Sequence, residues 1–206
     1  ITNARTAEMC KLTENSFRDV NIAFANELSV ICDKLEINVW ELIKLANRHP
    51  RVNILQPGPG VGGHCIAVDP WFIVSAAPDE SQLIKTARQV NDKKPEWVLN
   101  KLKESIKLHL DRNIGKNIED ITVACYGLAF KPNIDDLRES PALLITKSIS
   151  QSMRCKLLVV EPNVSILPKA LGKNAILVST EDAKSNADIH LLLVKHNEFN
   201  NIVFPK

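Results

Sequence analysis

One cysteine lies in a segment whose composition suits it to chemistry. Residues 56–70 read QPGPGVGGHCIAVDP and surround Cys65 with four glycines and three prolines. Glycine lets backbone amides approach a polar ligand closely and lets the chain turn sharply. The segment could hold the phosphates of a dinucleotide, or it could present Cys65 in a cleft as a nucleophile. A surface loop with a buried, inert cysteine is the non-functional alternative.

The dinucleotide interpretation depends on Gly58, Gly60 and Gly63, which match the spacing G-x-G-x-x-G. That motif needs a strand before the glycines and a helix after them, so that the pyrophosphate lies at the helix N-terminus. Here a helical segment and a proline-containing linker precede the glycines, and we expect Pro70 to restrict the start of a helix after them. The context therefore favours the nucleophile.

Polar residues elsewhere could assist a thiol at position 65. Lys11 and Asn15 are four residues apart, hence on one face of a helix. A cation and an amide could stabilise the oxyanion that forms when a thiolate adds to a carbonyl. Asp69 could accept a proton or hold a water. His64 is a poor partner for Cys65, because neighbours in an extended chain point in opposite directions. The non-functional alternatives are that Lys11 and Asn15 are solvated and that Asp69 forms an Asx turn.

The elements that must position these residues change character along the chain. Apolar residues recur at helical intervals from about residue 3 to 34, and helices are also predicted at 38–48 and at 81–112, with a bend near Pro95. After the turn-rich segment around residue 115, short apolar strands alternate with helices, which predicts a small doubly wound α/β domain with a parallel sheet. The predicted strands are 121–128, 155–162, 175–179 and 189–196, and the predicted helices are 140–152 and 181–187.

Composition excludes several classes of protein. The 206 residues carry a net charge of +2, which gives no reason to expect nucleic-acid or membrane-surface binding. No apolar stretch is long enough to span a bilayer, and the N-terminus lacks the layout of a signal peptide, so we expect a soluble, cytosolic protein. The five cysteines are widely spaced and include no C-x-x-C, so neither disulfides nor a metal site is predicted.

Three motifs together resemble one enzyme family over essentially the whole chain. They are AEMCKLTENSFRDVNIAFANEL (7–28), GPGVGGHCIAVDP (58–70) and YGLAFKPNIDDLRESPA (126–142). The chain is similar to the UDP-glucose/UDP-N-acetylmannosamine dehydrogenase family. The resemblance implies a central helical dimerisation region at 1–115, followed by a Rossmann-like UDP-binding domain at 116–206.

What the resemblance implies for chemistry is a four-electron oxidation. Family members convert the C6 alcohol of a UDP-sugar to a carboxylate with two NAD⁺. Cys65 would attack the intermediate aldehyde to give a thiohemiacetal, which becomes a thioester that water hydrolyses. Lys11 and Asn15 would bind the oxyanion and the water, and Asp69 would help to activate that water.

The resemblance also implies binding residues. Their non-functional alternatives are a solvated loop arginine, a strand-end aromatic with a surface lysine, and an ion pair of Arg138 with Asp135 or Asp136. The glycine loop (residues 56–62) would lie near the sugar and phosphates, and Arg51 would reach the substrate across a homodimer formed by the first helix. The residues implied in substrate binding are Arg51, Gln56, Gly58, Gly60, Gly62, Phe130 and Lys131. Arg138 matches a position that contacts the cofactor.

The sequence departs from the glucose-type members of the family. These usually read G-G-[S/Y]-C-x-P-K-D, whereas this chain has His64 before the cysteine and Ala67-Val68 in place of Pro-Lys. The version HCIAVDPWF is similar to UDP-N-acetylmannosamine dehydrogenases, whose uronate product is used in enterobacterial common antigen and capsules. UDP-glucose and UDP-N-acetylglucosamine remain alternative substrates.

The chain begins without Met and runs at once into a helix, so we interpret it as part of a longer polypeptide. The family's N-terminal NAD-binding domain and a late arginine are absent from it, and we expect this piece alone to be inactive. Two rival interpretations remain. One is a cysteine hydrolase or acyltransferase that uses a histidine, and the other is a non-catalytic UDP-binding and dimerisation module.

Overall fold

The computed structural model describes residues 2–203. By its internal contacts the chain divides into two compact units at Lys94 and Pro95, a point that lies inside a helix. Unit 1 (up to residue 94) is helical, and unit 2 (from residue 95) contains a sheet. The predicted functional limits, 1–115 and 116–206, stay a prediction.

Asparagine side chains cap the first two helices of unit 1. The side chain of Asn3 accepts the Thr6 N–H at the start of the first helix, and Asn38 caps the second helix as predicted. Of the fourth helix, the part up to residue 94 belongs to this unit. The helices are α1 (Ala4–Lys34), α2 (Val39–Ala46), α3 (Asp69–Ala76) and α4 (Gln82–Arg112).

The helix α3 corrects one step of the sequence argument. A helix does follow the glycines, because Pro70 lies in its first turn and does not prevent its start. Proline is tolerated there, since the N–H that it lacks has no partner within the helix. The segment before the glycines is a linker after α2 and not a strand, so the context still does not match a dinucleotide-binding motif.

Unit 2 has the predicted α/β architecture, and the fold class is confirmed. Its four parallel strands lie in the order β3-β2-β1-β4, and crossover helices join β1 to β2 and β3 to β4. The strands are β1 (Thr122–Tyr126), β2 (Lys156–Val160), β3 (Ala175–Leu177) and β4 (Ile189–Leu192), and the helices are α5 (Pro141–Ser152) and α6 (Thr180–Asn186). The order reverses beside β1, and in such sheets ligands bind outside the carboxyl ends of the strands at this point.

The core of unit 2 surrounds the central strand. Residues 123–126 of β1 are fully buried, as expected for a parallel strand covered on both faces. The apolar face of the last part of α4 joins this core through Val98, Leu102 and Ile106. No helix in residues 2–203 is both long and apolar enough to cross a membrane.

Gly127, directly after β1, allows a close approach that no other residue could make. Its φ is +87°, and a Cβ atom there would lie 2.5 Å from Cβ of Val194. Gly115 also has a positive φ, +96°, but a Cβ atom there would have no neighbour within 4 Å. A comparison of alanine substitutions at the two glycines therefore distinguishes the cost of backbone strain from the cost of steric overlap.

We expect Gly127→Ala to destabilise the chain more than Gly115→Ala does. Both variants carry the strain of a positive φ, and only Gly127→Ala adds an overlap, worth about 1–3 kcal/mol in a packed core. Urea unfolding followed by circular dichroism measures the difference. Equal losses of unfolding free energy in the two variants would contradict the close approach.

Candidate functional site

Asn15 and Asp69 are brought together by the fold of unit 1. Asn15 is buried on α1, and its Nδ2 donates a hydrogen bond of 2.6 Å to Oδ2 of Asp69, the first residue of α3. The two residues are 54 positions apart in sequence. A carboxamide has two N–H donors, so Asn15 can hold Asp69 with one and bind a second acceptor with the other.

Cys65 lies one turn ahead of Asp69. The carbonyl oxygen of Cys65 accepts the N–H of Asp69 at 2.8 Å and that of Val68 at 3.1 Å, so the segment already turns like a helix. The thiol of Cys65 is exposed, which excludes the buried, inert cysteine considered above. In contrast, burial raises the pKa of the Cys125 thiol to about 12 and makes it a poor nucleophile.

Lys11 has a different environment from Asn15. Its Nζ lies 3.1 Å from Oε2 of Glu14, and both side chains are about two-thirds exposed. An exposed pair of this kind contributes about 0–1 kcal/mol, so the ammonium group can leave Glu14 at little cost. The structure does not pair Lys11 with Asn15, and its role towards an oxyanion stays a prediction.

The glycine loop is held by two asparagine side chains. Asn47 makes two hydrogen bonds with the backbone of Ile54, of 2.9 and 2.7 Å, just before the loop. Within the loop, the N–H of Gly58 donates to Oδ1 of the fully buried Asn26 at 2.8 Å. Any contribution of Gly58 to ligand binding therefore comes from its carbonyl or from its lack of a side chain.

The other predicted residues of this region are more accessible. Gln56 and Arg51 are exposed, and Gly60 and Gly62 are half-buried. Gly60 has a φ of +145°, a conformation that favours glycine. The exposed side chain of Arg51 is consistent with either a solvated loop or a contact with a second molecule.

A buried polar cluster (Asp19, Asn26, Arg88 and Asn91) supports the glycine loop from inside unit 1. Nη1 of Arg88 lies 2.6 Å from Oδ1 of Asp19, and both side chains are almost completely buried. Nδ2 of Asn91 donates to the same oxygen at 2.8 Å, and Oδ1 of Asn91 accepts from Nδ2 of Asn26 at 2.9 Å. A continuous chain of hydrogen bonds therefore joins the Asp19 carboxylate to the Gly58 amide.

Burial changes the acid–base properties of Asp19, which belongs to this cluster, and of Lys94. Desolvation raises the pKa of Asp19, and the charge of Arg88 and the hydrogen bond from Asn91 oppose that rise. Desolvation also lowers the pKa of Lys94 to about 8, against the attraction of Asp33. The ammonium of Lys94 donates to Oγ of Ser29 at 2.5 Å.

In unit 2 the residues predicted to bind substrate follow β1. Phe130 is half-buried, and Nζ of the exposed Lys131 lies 5.5 Å from the centre of its ring. Arg138 forms an exposed ion pair with Asp136 at 2.7 Å, which was its non-functional alternative in the sequence analysis. That pairing does not test the predicted contact with a cofactor.

A second buried carboxylate lies at the end of β2. Glu161 is buried, and its Oε2 accepts the N–H groups of Leu128 at 2.7 Å and Ala129 at 3.2 Å. His196 lies 3.1 Å from the same oxygen. Dinucleotide-binding domains place a ribose-binding acid near this position, but here protein donors occupy the carboxylate.

Two family models match the chain. The central domain of the UDP-glucose/GDP-mannose dehydrogenase family matches residues 5–93, and the UDP-binding domain of the same family matches residues 124–206. The chain belongs to the UDP-glucose/GDP-mannose dehydrogenase family. Both halves of the resemblance stated from the three motifs are thereby confirmed.

Comparison with individual relatives gives more specific similarities than the family models. The chain is 61% identical over 199 residues to a UDP-N-acetyl-D-mannosamine dehydrogenase of Escherichia coli K12, which covers 97% of this chain and 47% of the relative. It is 60% identical to an NDP-N-acetyl-D-galactosaminuronic acid dehydrogenase of Ralstonia nicotianae, covering 97% of this chain and 45% of the relative. The chain thus spans about half the length of the curated relatives that it matches.

Solved structures agree with this family. A UDP-N-acetylmannosamine dehydrogenase from Pyrococcus horikoshii superimposes with a TM-score of 0.81 at 37% identity, and one from Staphylococcus aureus with a TM-score of 0.77 at 43% identity. In both cases 98% of this chain and 44% of the other chain are covered.

Sequence reasoning missed the polar residues that position the site. The buried polar cluster was available as a weak signal, because Asp19 and Asn26 occupy the same face of α1 as Asn15, at helical spacing. Glu161 gave a weaker signal, since it directly follows an apolar strand as a single polar residue, and His196, which lies next to Lys195 beyond β4, gave none. Only their partners, which are distant in sequence, reveal their use.

We expect Asn26→Ala to free the glycine loop. The substitution removes the acceptor of the Gly58 N–H and leaves the Asn91 carboxamide oxygen without its donor, at a cost of about 1–3 kcal/mol. Hydrogen–deuterium exchange of the loop, read by mass spectrometry, would then accelerate. Asn21→Ala is the matched control, because the hydrogen bond that Asn21 makes among residues 2–203 is to the Phe17 carbonyl, within α1 itself. Unchanged exchange in Asn26→Ala would contradict the proposed support.

Proposed function

We propose that this chain is the substrate-binding and thiol-bearing part of an NAD-dependent UDP-sugar 6-dehydrogenase. The observation that carries the proposal is the hydrogen bond between Asn15 and Asp69, one turn from the exposed thiol of Cys65. An amide donor, a carboxylate and a thiol at the start of one helix are the groups that carbonyl chemistry through sulfur needs. Family membership supports the same conclusion.

The roles of these groups follow from their chemistry. The thiolate of Cys65 adds to the C6 aldehyde, so that a C–S bond forms and the carbonyl electron pair moves to oxygen. The second N–H of Asn15 and the ammonium of Lys11 stabilise that oxyanion, which takes up a proton to give the thiohemiacetal. Loss of one hydride from C6 to a nicotinamide acceptor, together with the hydroxyl proton, would turn the thiohemiacetal into a thioester. At that stage Asp69 accepts a proton from the attacking water, the C–S bond breaks with its electron pair returning to the Cys65 thiolate, and the carboxylate product is released.

The hydride acceptor implied by the family resemblance is NAD⁺, and the described residues do not fit a dinucleotide site. The glycine loop follows a linker after α2, and Glu161 at the end of β2 is occupied by protein donors. Arg138 is the residue of this chain proposed to contact the cofactor. No step of the proposal is routed through a cofactor site on this chain.

UDP-N-acetylmannosamine is the proposed substrate. Supports are the segment HCIAVDPWF and the 61% identity to a UDP-N-acetyl-D-mannosamine dehydrogenase. The 60% identity to a relative named for N-acetylgalactosaminuronic acid shows that overall identity does not separate the sugars. Phe130, Lys131, Arg51 and the glycine loop are the proposed contacts with the UDP-sugar.

The full-length protein tests this function. We expect two NADH per sugar, with the highest kcat/KM for UDP-N-acetylmannosamine among UDP-glucose, UDP-N-acetylglucosamine and UDP-N-acetylgalactosamine. Nicotinamide absorbance follows the reaction. A different preferred sugar would contradict the substrate assignment, and absence of activity with every sugar would favour the non-catalytic UDP-binding module.

Cys65→Ser should lower kcat by at least about 10³-fold, because serine is a far weaker nucleophile at neutral pH. The matched control is Cys10→Ser, which alters another exposed cysteine, on α1. The control should retain normal turnover, and UDP-sugar should protect Cys65 but not Cys10 from iodoacetamide. Normal turnover by Cys65→Ser would reject the covalent role, and activity without nicotinamide would favour the cysteine hydrolase.

We also propose that a second copy of the chain binds to α1. Large apolar side chains, separated by seven or eight residues, form an exposed stripe along this helix (Met9, Phe17, Phe24 and Ile31). That spacing places them on one side of the helix, and burying them stabilises an association. The family resemblance predicts a homodimer through the same helix.

Replacing Phe17 and Phe24 by Glu should convert the dimer of the full-length protein to a monomer, because two charges would be buried without partners. Size-exclusion chromatography with light scattering reads the mass. Arg18→Glu changes the charge of α1 at an exposed position away from the stripe and should leave the dimer intact. A dimer that persists in the double variant would place the interface elsewhere.

A further inference from the structure

The segment after β1 is held at both ends by one buried acid–histidine pair. We call residues 128–133 the β1 loop. At its start, Glu161 accepts the N–H groups of Leu128 and Ala129. At its end, the N–H of Asn133 donates to Nδ1 of His196 at 2.9 Å. Glu161 and His196 are both buried and lie 3.1 Å apart.

The hydrogen bonds determine the tautomer of His196. A backbone N–H can only donate, so Nδ1 must carry a lone pair to accept from Asn133. The Asn163 side-chain amide also lies near this nitrogen, with Nδ2 at 3.1 Å. The proton of the neutral ring is therefore on Nε2, where it is donated to Glu161. His196 thus joins the two ends of the β1 loop through one ring.

Asn133 fixes the end of the β1 loop through both its backbone and its side chain. Its φ is +62°, in the left-handed region that asparagine tolerates better than most residues. Its side-chain oxygen accepts the N–H of Asn197 at 2.8 Å. Both its backbone and its side chain are therefore bonded to the segment that follows β4.

Phe130 and Lys131 lie between these two anchors. Phe130 is further held by its N–H, which donates to the carbonyl of Asp136 at 3.1 Å. Lys131 is two residues from Asn133, so a displacement of Asn133 moves the lysine backbone with it. Among the described residues, the exposed Lys131 ammonium contacts the Phe130 ring, and its backbone position depends on the anchor at Asn133.

We propose that His196 is a positioning residue for UDP-sugar binding, which acts through Asn133 to place Lys131. The inference rests on the proposed function, in which Phe130 and Lys131 contact the UDP-sugar. Because His196 is fully buried behind the loop, it does not itself touch the ligand. The acceptor at Nδ1 is the atom that matters, and the donor at Nε2 is secondary, since Glu161 keeps its backbone donors without it.

Two variants of the full-length enzyme distinguish the roles of the two ring nitrogens of His196. His196→Asn places an acceptor near the position of Nδ1 and loses the donor at Nε2, whereas His196→Gln does the reverse. We expect His196→Gln to raise KM for the UDP-sugar about tenfold with kcat nearly unchanged, as for the loss of one buried hydrogen bond. His196→Asn should retain a KM close to that of the wild type. His109→Gln, in the same unit, is the control and should change neither constant.

A double-mutant cycle identifies the route of the effect. Lys131→Ala should raise KM by itself, and adding His196→Gln should then cause little further rise, because both changes remove the same contact. Additive effects, or equal KM values for His196→Asn and His196→Gln, would overturn the inference. If Lys131→Ala leaves KM unchanged, the contact of Lys131 with the UDP-sugar in the proposed function fails together with this inference. If Lys131→Ala raises KM and His196→Gln does not, only the inference fails.

Asn133→Gly provides a second test if His196→Gln does not fold. Glycine keeps the backbone N–H and accepts a positive φ, but it removes the bond to Asn197 and loosens the anchor. We expect KM to rise by about three- to tenfold, with kcat retained. An unchanged KM in a folded Asn133→Gly variant would overturn the proposal.

Discussion

The buried ion pair between Asp19 and Arg88 is the interaction on which unit 1 depends. Both side chains are almost inaccessible to solvent, and removing Arg88 would leave the Asp19 carboxylate buried without its counter-ion, at about 3–5 kcal/mol. The pair therefore joins α1 to the part of α4 that belongs to unit 1. Asn91 and Asn26 extend the pair by hydrogen bonds to the amide of Gly58. The glycine loop is thus held in position by a hydrogen-bonded network that begins at this buried ion pair.

Unit 2 uses a buried carboxylate in a comparable way. Its sheet has the order of a small doubly wound domain, but Glu161 binds the backbone of the β1 loop where a dinucleotide-binding domain would offer an acid to ribose. The same fold position therefore stabilises a loop instead of recognising a sugar. A fold of this kind does not specify its ligand, and the side chains at the strand ends do.

Accessibility separates the cysteines into two chemical groups. Cys32, Cys125 and Cys155 are buried, and burial raises the pKa of the last two, which keeps them protonated. Cys65 is exposed at the approach to α3, beside the carboxylate that Asn15 holds. Reactive groups on this chain therefore lie at helix starts and loops, while the groups that orient them are buried and hydrogen-bonded. Functional sites commonly combine accessible reactive groups with buried, hydrogen-bonded residues that hold them in position.

The sequence alone determined the helical first part, the parallel sheet of the second part and the family, because periodicity and local motifs are properties of neighbouring residues. It also predicted Lys11, Asn15, Cys65 and Asp69 as one group, of which the structure joins Asn15 to Asp69. It did not reveal that Pro70 lies in the first turn of a helix, that Asn26 binds the Gly58 amide, or that Glu161 and His196 bind the two ends of the β1 loop. The residues joined by these hydrogen bonds lie 32 to 63 positions apart, and which polar side chains lose their water together is decided only when the chain packs.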